Sequence, residues 1–277
     1  MFYREYPPPA GLKDHIQCFW ALEHDYRDSF HSHEHLWADT QIELIFSYGQ
    51  PYFRKTDQGM VILPQNFVIG PFKKELLLYS DGLTGFVAVR FHPWGFAAFS
   101  KKKMTELINA ILSAEEVLNG CPLLPGQPAT GQVGEHLGIL SSWLSLSQQG
   151  KQQPVVQSIA EKIQANKGIV KIAGLAEEFD INPRKLERLF MSEIGMSAKL
   201  FARILRFNHA KRLIEQDPGI PLAGLTYETG YADQAHFSHN FREMFGYTPA
   251  EFKSLIREWR EKMSGERPDV VFLQDNP

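Results

Sequence analysis

The sequence is poor in cysteine and has no long apolar run. Its two cysteines, Cys18 and Cys121, are too few for a disulfide framework, so we interpret them as packing residues in a reducing compartment. No apolar run approaches the ~20 residues that span a bilayer. The opening residues MFYREYPPPAGLKD lack the apolar segment of a signal peptide. These absences predict a cytoplasmic protein without membrane contact.

Neither sign of charge is in large excess. The chain has 29 Lys and Arg against 32 Asp and Glu, a net charge of −3, which argues weakly against nucleic acid as a partner. Residues 167–264, however, carry 15 Lys and Arg against 13 Asp and Glu. This local excess permits phosphate contact without proving it, because a charged helix is usually a solvated one. With 277 residues, the chain is long enough for two domains.

Residues 1–100 have the alternating pattern of β-strands. The stretch TQIELIFSYG places Ile42, Leu44 and Phe46 on one face and Glu43 on the other. Similar stretches, separated by Gly, Pro and Asp, predict a sandwich or barrel. Helical spacing then predicts helices over 101–118 and 133–148, each apolar on one side. We expect these helices to form a homodimer, and the alternative is that they pack on the β-domain.

An internal repeat occupies the helical part that follows, from Val155 to Met263. IAGLAEEF at 172–179 matches LAGLTYET at 222–229 at a shift of 50. LERLFMSEIG at 186–195 matches FSHNFREMFG at 237–246 at a shift of 51. Each copy predicts a short helix, a tight turn, a second helix that ends at glycine, and a third helix.

Residues at the ends of these helices agree with that prediction. Asn182, Asp233 and Thr248 stand where N-capping side chains are needed. Gly195 and Gly246 stand where the second helix of each copy would end.

The second helix of each copy has one apolar face, which we expect to be buried, and one polar face. The residues predicted to point outward are Arg184, Lys185, Arg188 and Met191 in the first copy, and Gln234, Ala235, His236, His239, Arg242 and Glu243 in the second. A short helix that braces a second helix with such side chains predicts a helix-turn-helix unit, whose second helix enters the major groove of DNA. Arg and Lys suit guanine, Gln suits adenine, and any of them can bind phosphate.

The segment between the two units has the length of a spacer. Residues 197–216 contain no Pro or Gly and predict one continuous helix. At ~1.5 Å per residue, this helix would span about 30 Å. Successive major grooves on one side of DNA lie roughly 34 Å apart, and bending of the DNA would cover the difference. The spacing therefore favours two units on successive grooves.

The stretch GYADQAHFSHNFREMFGYTPAEFK, residues 230–253, resembles the signature of AraC/XylS-type bacterial transcription regulators. The double helix-turn-helix over about 155–263 is similar to their whole DNA-binding domain. The resemblance implies that the second helix of each unit contacts DNA. The matching positions are Arg184, Lys185, Glu187 and Arg188, then Gln234, Ala235, His236 and His239. His239 departs from the family, which usually has Arg there.

Two histidine clusters also have to be weighed as metal ligands. His236 and His239 are three residues apart, but no further ligand besides Asp233 stands near enough to complete a zinc site. His31, His33 and His35, in HSHEH, resemble the start of a cupin metal motif, although the distal His and the glycine-rich frame are missing. We predict no metal site, no cofactor and no catalytic residue, and we interpret HSHEH as a loop or as a ligand-gating element.

Glu43 and Arg90 are charged residues inside apolar strands. They are either edge charges that prevent sheet aggregation or polar anchors of an effector pocket. FVAVRFHPWG and QIELIFSYG are similar to the sensory half of some of these regulators.

The sequence as a whole predicts an α+β chain with two domains. Residues 1–150 form a β-rich, barrel or cupin-like regulatory domain with appended helices, and residues 155–264 form an all-α double helix-turn-helix domain. The resemblance implies a transcription regulator whose partners are double-stranded DNA, RNA polymerase and an unknown small-molecule effector. The alternatives are a metal-dependent cupin-like enzyme fused to a DNA-binding domain, and a first domain that only dimerises.

Overall fold

A computed structural model describes residues 2–27, 33–124, 133–149 and 153–263. In these ranges, an N-terminal β-rich domain is followed by a C-terminal helical domain. None of the helices in the described ranges has the length and apolar content needed to cross a membrane.

In its described residues, the β-rich domain contains two antiparallel sheets. Its strands are β1 (Phe2–Tyr6), β2 (Ile16–Asp25), β3 (His33–Leu36), β4 (Ile42–Gly49), β5 (Phe53–Thr56), β6 (Gly59–Ile62), β7 (Asn66–Ile69), β8 (Leu76–Tyr79), β9 (Leu83–Phe91) and β10 (Ile111–Ser113). The larger sheet has the order β1-β2-β9-β4-β7-β10, and the smaller has the order β3-β8-β5-β6. The sandwich alternative of the sequence prediction therefore describes the domain.

The alternation within β4 explains how the layers stack. Glu43 and Ile45 face the smaller sheet, where Ile45 joins an apolar interior shared by both sheets. Ile42, Leu44 and Phe46 face the other way, as the pattern predicted, and pack in a second apolar layer. That second layer is covered by short 3-10 segments and by two α-helices, α1 (Ala114–Val117) and α2 (Val133–Ser147).

Helix α2 was predicted, and its packing decides between two expectations. Val133, Leu140 and Leu144 are buried in the same apolar layer as β4 and β9. The alternative that this helix packs on the β-domain is therefore confirmed. Its apolar face is occupied within the chain, so it no longer supports a homodimer.

The prediction of a helix over 101–118 is wrong. That segment contains a 3-10 turn at Met104–Leu107, then β10, then the single turn α1. The periodic pattern is broken at Asn109, whose φ of 59° is left-handed, and its backbone N–H donates to the carbonyl of Pro71. Residues 111–113 pair with β7 instead, because an edge of the larger sheet offers them backbone partners. Tertiary pairing overrode the local helical pattern here.

The helical domain contains seven helices in its described residues. They are α3 (Pro154–Ala165), α4 (Ile172–Glu178), α5 (Pro183–Glu193), α6 (Ala198–Gln216), α7 (Leu222–Glu228), α8 (Gln234–Phe245) and α9 (Pro249–Met263). Helices α4, α5 and α6 correspond to α7, α8 and α9, so the predicted repeat of short helix, second helix and third helix is confirmed. Gly195 and Gly246 follow α5 and α8 with φ of 85° and 78°, the left-handed values that end a helix.

Candidate nucleic-acid interface

Helices α5 and α8 occupy equivalent places in the two units, and side chains fix where each begins. The Asn182 side chain accepts a hydrogen bond from the backbone N–H of Arg184 at 2.9 Å. The Asp233 side chain accepts one from the backbone N–H of His236 at 2.7 Å. Both N-caps were predicted, and each satisfies a donor that the first turn of a helix leaves open.

The third helices repeat a contact that ties each unit together. Arg206 of α6 donates to the carbonyl of Gly168 at 3.0 Å, and Arg257 of α9 donates to that of Pro218 at 2.8 Å. The arginines are 51 residues apart and the carbonyls 50, matching the shifts in the sequence. The repeat therefore extends to individual side-chain bonds.

The buried face of α8 is almost entirely aromatic. Phe237, Phe241 and Phe245 are each 0% exposed, and Phe207 of α6 packs against all three. On α5, Leu186 and Phe190 are buried in the same cluster. Burial of these faces sets which side chains the two helices present to solvent.

The outward faces carry the polar residues that the sequence predicted. The exposed residues are Arg184, Lys185, Glu187 and Arg188 on α5, and Gln234, Ala235, His236, His239 and Arg242 on α8. In the described part of the chain, none of the four on α5 takes part in an ion pair, so their charged ends face solvent. Contact of all nine residues with DNA remains a prediction.

Two histidines of α8 differ in how they are held. The His236 ring meets the Tyr231 ring edge-on at 5.3 Å, and the Arg206 guanidinium lies over that tyrosine at 5.5 Å. His239 is 74% exposed, and its Nε2 lies 4.0 Å from a carboxylate oxygen of Glu243. Tyr231 was missed by the sequence analysis, although an aromatic residue two positions before the α8 cap was a usable signal.

Glu243 ties the far end of α8 to the linker helix. Its carboxylate pairs with the guanidinium of Arg203 on α6, and that pairing lowers the pKa of Glu243. Glu243 was expected only to point outward, and the pairing makes it an anchor. Helix α6 has 19 residues, roughly 28 Å at ~1.5 Å per residue, so the predicted spacer is present.

In the β-rich domain, Glu43 and Arg90 are directly opposite across β4 and β9. Their side chains form an ion pair at 2.8 Å, and the residues are 8% and 1% exposed. Burial raises the pKa of Glu43, and the Arg90 charge opposes that rise. Because β4 and β9 are central strands, the interpretation of edge charges is wrong.

A second carboxyl group that lines the interior of this domain, on the partly buried Glu34 of β3, was missed by the sequence analysis. The hydroxyls of Tyr26 and Tyr52 both donate to it, the latter at 3.4 Å, and the two hydroxyls lie 3.2 Å apart. Burial raises the pKa of Glu34 to about 7. Glu34 and Glu43 line a cavity of about 10 Å³ between the sheets, which has room for about one water molecule.

The HSHEH segment lies partly outside the described residues. His31 and the side chain of His33 are in the part that is not described. His35 lies in β3, where its ring pairs with Glu75 and stacks on Trp37 at 5.3 Å. Among the described residues, no three His, Cys, Asp or Glu side chains come together as a metal site.

Comparison with known proteins shows what the two units are similar to. A model of a helix-turn-helix domain matches residues 175–254, and the matched segment contains both α5 and α8. The transcriptional regulator GlxA of Rhizobium meliloti is 30% identical over 105 residues, covering 38% of this chain and 32% of that protein. The arabinose operon regulatory protein of Escherichia coli is 30% identical over 87 residues, covering 31% and 30%. The helix-turn-helix region of this chain is therefore similar to that of AraC/XylS-type regulators.

The β-rich domain matches a family model of its own. Residues 4–113 match a model described as a domain of unknown function. The structure of ToxT from Vibrio cholerae aligns with 85% of this chain and 98% of that one, at 11% identity and a TM-score of 0.48. The chain spans about a third of the length of the GlxA and arabinose regulators.

Proposed function

We propose that this protein is a sequence-specific, DNA-binding transcription regulator that inserts α5 and α8 into successive major grooves. In this proposal residues 155–264 bind DNA and residues 1–150 regulate that binding. Arg184, Lys185, Glu187, Arg188, Gln234, Ala235, His236, His239 and Arg242 contact bases or phosphates. RNA polymerase is the proposed partner at the promoter, as in a transcription activator or repressor.

One observation carries the proposal. Two capped helices with polar, exposed faces occur at equivalent places of a repeat, joined by a helix of roughly 28 Å. A spacing of roughly 34 Å separates successive major grooves on one side of DNA. No enzyme site explains why the same polar face should occur twice at this spacing.

The first experiment is selection of bound sequences from random DNA with the full chain. We expect one operator with two half-sites about one helical turn apart. Affinity for it should fall steeply with salt, because each phosphate contact releases counterions and adds about −0.9 to the logarithmic slope. Equal affinity across a tenfold range of salt would contradict phosphate contact.

Arg188 provides the residue-level test of the same proposal. Arg188→Ala should weaken binding to the operator by ~1–3 kcal/mol and relax the preference at one base pair. Arg27→Ala is the matched control, because Arg27 is an exposed arginine of the β-rich domain that pairs with Asp25. An equal loss on all DNA sequences would make Arg188 a phosphate contact instead.

The effector is proposed to act on the interior of the β-rich domain, with Glu43 and Arg90 as polar anchors. The interior is filled in this structure, with space for about one water, so a metabolite would have to displace side chains. This filling favours a second candidate, a domain that regulates by protein contact alone. Calorimetry of the full chain with fractions of a metabolite pool distinguishes the two, because only an effector gives saturable heat that Glu43→Gln weakens.

A further inference from the structure

The β-rich domain contacts both helix-turn-helix units at the same corner. That corner is the turn where the second helix of a unit joins the third, at Gly195 in the first unit and at Gly246 in the second. The first corner is in contact with the backbone of the β-rich domain, and the second is in contact with a side chain of that domain.

The first corner is held by main chain against main chain. A Cβ atom added at Gly195 would lie 2.4 Å from the carbonyl oxygen of Met104, in the 3-10 turn of the β-rich domain. Such close approach leaves no side chain between the two backbones, so the first unit cannot shift without moving that turn. The first recognition helix, α5, is thus fixed to the β-rich domain.

The second corner is covered by the side chain of Trp37. Trp37 is 1% exposed and presents its ring edge-to-face to Phe245 at 5.7 Å and to Phe252 at 5.3 Å. Phe245 is the last residue of α8, and it also packs on Phe207 of α6 at 6.4 Å. A Cβ atom at Gly246 would meet no atom of the described residues within 4 Å, so the close backbone approach seen at Gly195 is not repeated at this glycine.

Trp37 directly follows β3, an edge strand of the smaller sheet. Along this segment, Glu34 and Leu36 face the interior of the sandwich, where both line the small cavity. His35 and Trp37 face the helical domain, where the His35 ring also meets the Trp259 ring of α9 at 5.1 Å. Because side chains alternate along a strand, one face of β3 contacts the interior of the β-rich domain and the other face contacts the second unit.

We propose that Trp37 is a positioning residue for α8, through which β3 sets the place of the second recognition helix relative to the first. This inference rests on the proposed DNA-binding function. Movement of β3, caused by anything that displaces Glu34 or Leu36, is carried to α8 by a rigid aromatic contact. The first unit does not move with β3, because its corner at Gly195 packs against Met104 and not against β3.

The DNA test uses the full chain and the operator obtained by selection. The readout is the ratio of affinities for the intact operator and for one with the second half-site scrambled. Trp37→Ala should lower this ratio about tenfold while leaving affinity for the scrambled operator unchanged. Trp37→Phe should restore most of it, and Trp143→Ala should not alter it, since Trp143 packs within the β-rich domain. An unchanged ratio, or an equal loss on both operators, overturns the proposal.

The second arm needs no DNA. Hydrogen exchange of the free protein should accelerate in α8 and α9 in Trp37→Ala and remain unchanged in α4 and α5, and Trp37→Phe should exchange like the wild type. Uniform acceleration, or none, overturns the positioning role. If no operator is selected but α8 and α9 alone loosen, the DNA-binding function has failed and the positioning role has not.

Discussion

Glu34 places a carboxyl group among two tyrosine hydroxyls inside a β-sandwich, and burial raises its pKa to about 7. A carboxyl group with a raised pKa stabilises the fold below its ordinary pKa, and this stability is lost as pH rises through the folded value. The free energy of unfolding of the wild type should therefore fall between pH 5 and pH 8. This fall should exceed that of Glu34→Gln by about 2 kcal/mol.

The measurement is urea unfolding across that pH range. Glu43 also has a raised pKa, so the wild-type profile alone does not isolate Glu34. Glu135→Gln, at an exposed position of α2, is the control and should follow the wild type. Parallel profiles for wild type and Glu34→Gln would show that Glu34 is already charged throughout.

His239 stands where the AraC/XylS-type regulators that this chain resembles usually have arginine, and it is 74% exposed on α8. Histidine side chains generally lose their charge near pH 6.5, whereas arginine keeps its charge. Phosphate favours the charged form of a nearby histidine, so wild-type affinity should rise as pH falls. His239→Arg should bind the operator more tightly at pH 7.5 and with a flatter pH profile.

Fluorescence anisotropy with labelled operator between pH 6 and pH 8.5 provides this comparison. Ser254→Arg adds the same charge at an exposed position of α9 and controls for general attraction to DNA. An unchanged pH slope in His239→Arg would remove His239 from the contact set. Weaker binding would mean that the imidazole donates or accepts a hydrogen bond that a guanidinium cannot replace. His209 does not enter the comparison directly, because it is 6% exposed.

At the scale of elements, the two helix-ending glycines provide a matched pair. Gly246→Ala meets open space, so its cost is the left-handed backbone alone, about 1–2 kcal/mol. Gly195→Ala carries the same backbone cost and adds a clash with the Met104 carbonyl, so it should cost about 2 kcal/mol more. Chemical unfolding of the two variants measures the difference, and equal losses would mean that the Met104 turn moves away freely.

The helices of the repeat could be predicted because their signals are local. Asn182 and Asp233 cap the helices that directly follow them, and the apolar stripe of α8 is contained in twelve residues. The segment at 101–118 could not be predicted in the same way. Its strand β10 exists because β7, more than forty residues earlier, offers a free edge. Helical spacing of apolar residues says nothing about such a partner.

For the whole molecule, the candidate DNA-binding surface could be predicted from the sequence, but the contact between the two domains that supports it could not. Helical periodicity predicted the outward residues of α5 and α8 other than Glu187, which the family resemblance supplied, and all nine proposed contacts are exposed. Trp37 lies two residues after HSHEH, a histidine cluster that resembles the start of a metal motif. Its burial against Phe245 and Phe252 depends on how two domains meet, and no local pattern encodes that contact.

This contact changes what we expect of the helical domain alone. A repeat of this kind, with apolar faces in both copies, would by itself predict that residues 155–264 form their own core and fold alone. In the structure, Trp37, Ala38 and Trp94 of the β-rich domain belong to that same core. A fragment of residues 153–263 should therefore keep its helices but lose several kcal/mol of stability, since removing one buried tryptophan side chain costs about 3–5 kcal/mol.

Urea unfolding of the fragment, followed by circular dichroism, measures the loss, and the full chain carrying Trp37→Ala serves as the reference. Both should weaken the second unit, since both uncover Phe245 and Phe252. Binding of the fragment to the first half-site should also fall, because the Met104 turn behind Gly195 is absent. A fragment as stable as the helical domain of the full chain would mean that the interdomain contacts add no net stability, and that the repeat alone forms a sufficient core.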